Sequence, residues 1–146
     1  DFYFLLNSIG LRPTDAFVLH ASAFDGNTLT LQQRKTSEWL MRIPIPKHVV
    51  ALLSKRIQRG GLIFPELQSD RQRRNARRCL QSLFEPSYVR EHNIRLHVFR
   101  HTYAMNMLNR LVPKSVLQTL LGHKSIRTTE LYANWVSGDE LSKWVE

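Results

Sequence analysis

Residues 96–108, LHVFRHTYAMNML, set His97 and His101 four apart around Arg100 on a segment with helical patterning. That spacing aligns two imidazoles on one helix face, as in a metal-ligand pair, whereas a guanidinium between them repels a cation and attracts an anion. Zinc would want a third ligand. The glutamate of an H-E-x-x-H motif is missing, and one cysteine makes no cluster, so the stretch predicts no metal and no cofactor. His101, Ala104, Met105, Leu108, Leu111 and Val112 follow helical spacing as an apolar stripe, which assigns His101 to the core. His97 and Arg100 fall in the first turn, where unpaired N–H groups and the helix dipole favour an anion. A second stretch, TLLGHKSIRTTELYANW, ends a helix at Gly122, leaves His123 on the turn and sets Tyr132 nine residues beyond it. Taken singly, these are an ordinary surface histidine and a half-buried packing tyrosine.

The charge balance gives the anion a direction. Twenty-one basic residues face 12 acidic ones, for a net charge of +9, and 15 of the basic residues are arginine, whose planar fork suits phosphate. A nucleic-acid partner leads, ahead of an anionic membrane or an acidic protein. No apolar run approaches the ~20 residues that span a bilayer, and no signal-peptide pattern opens the chain. The lone Cys79 fits a reducing compartment and sits on the apolar side of a helical pattern, which predicts a buried thiol. The chain is read as one domain over 1–146, cytoplasmic and DNA-associated. Opening without methionine inside the helical-looking DFYFLLNSIG, it is also read as a fragment of a longer protein.

The elements that must position these residues are legible in outline. Residues 2–9 read as a helix stopped by Gly10, and Pro13 opens the next one. Residues 27–46 read as a β-hairpin turning at 34–37, with Leu29 and Leu31 alternating inward and Trp39, Met41, Ile43 and Ile45 alternating on the return. Helices follow over 47–58, 70–84, 97–110, 114–121, 126–134 and 139–146, with GLIFP extended between the first two. In 70–84 the stripe is Ala76, Leu80, Leu83 and Phe84. The class is mainly α with a small antiparallel β-sheet (α+β).

In order along the chain stand GLRPTD, Lys35 in the hairpin turn, HVFRH, LGH and TTELY. This set resembles the catalytic domain of tyrosine recombinases, the phage-integrase family, over nearly the whole chain. The resemblance implies that fold and points to Arg12, Lys35, His97, Arg100, His123 and Tyr132 as catalytic residues. It also matches Asp15 to an acidic residue three after the first arginine. Pro13 and Phe99 depart from the family's usual residues, and the family's N-terminal core-binding domain, which completes a clamp around DNA, is not supplied by these residues.

The implied roles suit strand cleavage and rejoining in double-stranded DNA through a 3′-phosphotyrosyl link on Tyr132, with no metal and no ATP. Arg12 and Arg100 would clamp the non-bridging oxygens where charge develops. Asp15 would hold the Arg12 guanidinium, or act only as a helix-start carboxylate. Lys35 suits protonation of the leaving 5′-oxygen, on a mobile tip that arrives when DNA is seated, because arginine surrenders a proton poorly. His97 suits the tyrosine proton and His123 the phosphate, although either imidazole could serve either role.

Arg34 reads as a contact to backbone phosphate or solvent. Arg71, Arg73, Arg74, Arg77 and Arg78 read as a DNA-backbone face, or simply a solvated one, and Lys124 and Arg127 flank the His123 turn. Helix 139–146 carries Leu141, Trp144 and Val145 on one side. It packs on its own domain or, as the resemblance allows, docks in trans on a neighbour in a homo-tetramer on DNA. Three rival readings are a type IB topoisomerase, a catalytically silent DNA-binding module, and, more distantly, a metallohydrolase using His97, His101 and His123.

Overall fold

Helix α1 (Phe2–Ile9) buries Leu5, Leu6 and Ile9 and stops at Gly10, which donates its N–H to the Leu6 carbonyl and then turns the chain away with a left-handed φ of 66°. The computed structural model describes residues 1–125 and 127–129. Pro13 occupies the first position of α2 (Pro13–Phe17), where its missing N–H costs nothing. An antiparallel sheet follows, made of β1 (Phe24–Asp25), β2 (Thr28–Gln32) and β3 (Trp39–Pro44) in the order β1-β2-β3. Helices α3 (Lys47–Arg59), α4 (Asp70–Gln81), α5 (Pro86–Glu91), α6 (Val98–Asn109) and α7 (Lys114–Leu121) come after it. The class is mainly helical with a small antiparallel sheet, in agreement with the sequence; β1 and α5 were not anticipated. Among the described residues no helix is long and apolar enough to cross a membrane.

The hairpin turns where predicted, but its return strand is out of phase with strict alternation. Leu40, Ile43 and Ile45 are buried, whereas Trp39 and Met41 are exposed. A bulge is the cause. Leu31 pairs with Leu40 and Leu29 with Ile43, so Met41 and Arg42 together face Thr30. Arg42 takes a φ of 48° and donates its N–H to Thr30 Oγ1 at 2.9 Å. One inserted residue moves every later side chain to the other face.

The largest core joins α1, α2, the sheet, the buried side of α3 and the extended Ile63 and Phe64. Tyr103 and Ala104 of α6 pack on Leu117 and Leu121 of α7, and Phe17, Leu80, Ile94 and Leu96 form a third cluster. Three stripe predictions are corrected here. Helix α4 ends at Gln81, so Leu83 and Phe84 fall in the turn and are exposed, the Phe84 ring stacking on Tyr88 of α5 at 5.7 Å. Cys79 is exposed and not buried, because Leu80 is the residue of α4 that turns inward. On α6 the inward line is Arg100, Tyr103 and Ala104, which leaves His101 half-buried and Leu111 exposed past the helix end.

Candidate functional site

Arg100 is 1% exposed. Its Nη1 donates to the Gly10 carbonyl at 2.8 Å and its Nη2 to the Leu121 carbonyl at 2.7 Å. A guanidinium survives at that depth because oriented carbonyls replace water around it. The two acceptors stand two residues before Arg12 and two before His123, so Arg100 draws the start of α2 and the end of α7 together. Glycine is required at both ends. Gly10 and Gly122 have φ of 66° and 62°, and a Cβ would lie 2.4 Å from the Tyr103 ring or 2.6 Å from Gln33 Nε2.

Arg12 caps α2 with its backbone, and its Nη1 is buried without a hydrogen-bond partner among the described residues. Asp15 is not that partner. Its Oδ1 accepts the Arg34 N–H at 2.8 Å, and the ion pairs among the described residues do not include Arg12 with Asp15. The carboxylate therefore fixes the hairpin next to Lys35, correcting the expectation that it holds the Arg12 guanidinium. The backbone of the tip is pinned on its other side as well. Gln33 Nε2 donates to the Leu121 carbonyl at 2.9 Å, and the Thr36 hydroxyl donates to Gln33 Oε1 at 3.0 Å. Lys35 projects, exposed, from between these two anchors.

His97 stands at the N-cap of α6, its ring edge-on to His101 with centroids 4.8 Å apart. His101 is thus a neighbour of His97 at the site, where the sequence placed it in the core. Desolvation lowers the His97 pKa to about 4, helped by the charges of His101, Arg100, Arg12 and Lys35. His123 is buried, with Nδ1 2.9 Å from Oγ1 of the buried Thr129. Its pKa also falls to about 4, through desolvation first and then Arg100, Arg12 and His97. Arg12, Lys35, His97, Arg100 and His123 therefore share one field, which holds both rings neutral at pH 7.

Unfolding returns each ring to its ordinary pKa of 6.5. Their contribution to stability is then complete above pH 6.5 and is lost as the pH falls through about 4. An NMR titration of the imidazole protons should show both midpoints well below 6.5; ordinary midpoints would contradict this electrostatic picture.

Two clefts flank the site. One, of about 320 Å³, is lined by Arg73, Arg74, Arg77, Arg95 and His97 together with one carboxylate, Asp70; the other, of about 480 Å³, includes Arg34, Lys35 and Arg73 in its lining. Arg73 borders both, its Nε on the Leu67 carbonyl at 2.9 Å and its guanidinium 4.8 Å from the Phe17 ring centroid. Arg71 and Arg78 are exposed but line neither cleft. Lys124 pairs with Glu38 at 3.2 Å, and Arg127 is exposed. Tyr132, most of helix 126–134 and helix 139–146 lie outside the described residues. Sequence reasoning missed Arg95, which only its place two residues before His97 could have flagged. It also missed Gln33 and Thr129. Among the described residues no group of three or more His, Cys, Asp or Glu side chains is placed to hold a metal ion.

The family model described as Phage integrase family matches residues 2–137. An Escherichia coli protein named resolvase is 61% identical over 36 residues, which is 25% of this chain and 14% of that protein. The crystal structure of XerA recombinase superposes with a TM-score of 0.68 at 19% identity, covering 96% of this chain and 54% of that one. The Tn1549 transposon integrase, solved with circular intermediate DNA, gives a TM-score of 0.63 at 15% identity over 99% of this chain and 56% of the other. The likeness to these two structures is one of fold, and this chain spans about half the length of each.

Proposed function

Because the chain belongs to the phage integrase family, we propose that it carries the catalytic machinery of a site-specific DNA recombinase, cleaving and rejoining DNA through a phosphotyrosyl link on Tyr132. The observation that carries this reading is the buried Nη1 of Arg12, a cationic donor lacking an acceptor within the field of Lys35, His97, Arg100 and His123. A buried N–H without a partner costs about 1–3 kcal/mol, which a phosphate oxygen placed there would recover. One phosphodiester satisfies the donor and the field together.

In the step proposed, the Tyr132 hydroxyl oxygen bonds to phosphorus and the bond to the 5′-oxygen breaks. The phenolic proton passes to a neutral imidazole, His97 or His123, and the leaving oxygen takes a proton from the Lys35 ammonium. Arg12 and Arg100 offset charge on the non-bridging oxygens as it develops. The phosphate ester is conserved in the link, so a 5′-hydroxyl from a partner strand reverses the step without ATP. Recombination between two sites takes two such exchanges in a four-protomer assembly on DNA. The arginine-bordered clefts beside His97 and Lys35 support the passage of a polyanion there.

A pool of nicked duplexes with randomised flanks tests this. Wild-type protein in EDTA should give an adduct that survives SDS, because the short strand beyond the nick diffuses away after cleavage. Absence of any adduct in EDTA, with adduct restored by a divalent cation, would reject the mechanism.

A further inference from the structure

Gln33 is 1% exposed in a hairpin whose neighbouring polar residues face solvent. Burying a primary amide is costly unless both ends are bonded. Here both are: Nε2 donates to the Leu121 carbonyl, and Oε1 accepts the Thr36 hydroxyl. The Gln33 backbone closes the turn as well, its N–H donating to the Glu38 carbonyl at 2.8 Å and its carbonyl accepting the Ser37 N–H at 2.9 Å. One residue thereby grips the base of the four-residue tip from both sides.

The acceptor it uses is shared. The Leu121 carbonyl also receives Nη2 of Arg100 at 2.7 Å, and the next residue, Gly122, lies against the Gln33 amide with no room for a Cβ. Arg100 is registered to the end of α7 through that oxygen, and the hairpin is registered to the same oxygen through Gln33. From these contacts we infer that Gln33 is a positioning residue, setting the reach of Lys35 toward the phosphate proposed to bind beside Arg12 and Arg100. Resting on the function proposed above, this places Gln33 in proton delivery to the leaving oxygen. Gln32, one position earlier and exposed, donates within the hairpin, to the Ser37 carbonyl.

The test separates proton delivery from general loss of structure. A cleavage sequence recovered from the nicked pool is made in two forms, with oxygen or with sulfur as the bridging 5′ atom. Sulfur leaves as a thiolate and needs no acid. The Gln33→Met variant keeps the volume and loses both amide bonds. It should cleave ordinary DNA about 10²-fold more slowly, yet cleave the sulfur-bridged DNA within about threefold of wild type. Thr36→Val, which frees the amide at one end only, should show the same pattern with a smaller loss and serves if Gln33→Met does not fold. Lys35→Ala is the control. If sulfur does not rescue Lys35→Ala, the proposed role of Lys35 falls and this inference falls with it. Rescue of Lys35→Ala with equal losses on both substrates for the Gln33 and Thr36 variants would overturn the inference alone.

Discussion

Arg100→Ala should lose both a buried polar tie of the fold and, on the function proposed, the chemistry. The substitution deletes two charge-assisted hydrogen bonds at 2.8 and 2.7 Å and opens a cavity where the side chain was 1% exposed. Losses of this kind amount to about 3–5 kcal/mol, or roughly 10 °C in Tm for a chain of this size. Cleavage by the fraction that stays folded should fall by at least ~10³-fold, because a guanidinium opposite a developing oxyanion acts mainly in the transition state. Thermal unfolding and single-turnover cleavage, measured on one preparation, check both parts. A normal Tm would mean that the two carbonyl contacts contribute nothing to the fold.

Arg12→Ala should separate what Arg100→Ala combines. The buried Nη1 of Arg12 has no partner to lose, so Tm should stay within about 2–4 °C of wild type, the shift for ~1 kcal/mol. Cleavage should nevertheless drop about 10²–10³-fold, while overall DNA affinity changes little because it is spread over many phosphate contacts. Arg12→Lys keeps the charge without the fork and should recover only part of the rate. Equal losses of affinity and rate in Arg12→Ala would recast the residue as a binding contact. The pair of variants thus distinguishes an arginine that serves both the fold and the phosphate from one held ready for the phosphate alone.

Much of the frame was legible because punctuation residues mark it. Gly10 and Pro13 bracket Arg12, the hairpin turn presents Lys35, and Gly122 ends the helix before His123. Each is a position where backbone chemistry leaves few choices. What stayed hidden depends on tertiary contact. Arg100 looks polar in sequence but points inward, and that rotates the buried line of α6 by one position and moves His101 out of the core. A bulge at Met41 and Arg42 inverts β3 in the same way, where alternation alone has no reason to break. In sequence Asp15 reads as a partner of Arg12 or a helix-start carboxylate, and Gln33 carries no signal at all. Their functions appear only when Arg34 and Leu121, 19 and 88 residues further along, arrive beside them.

The most direct measurement is the identity of the residue that carries DNA. The adduct trapped in EDTA is digested with nuclease and protease, and the peptide retaining a nucleotide is sequenced by mass spectrometry. A 3′-linked nucleotide on Tyr132, a free 5′-hydroxyl on the released strand, and no adduct from Tyr132→Phe are expected. A nucleotide on any other residue, or an adduct that persists in Tyr132→Phe, would contradict the assignment of Tyr132 as the nucleophile.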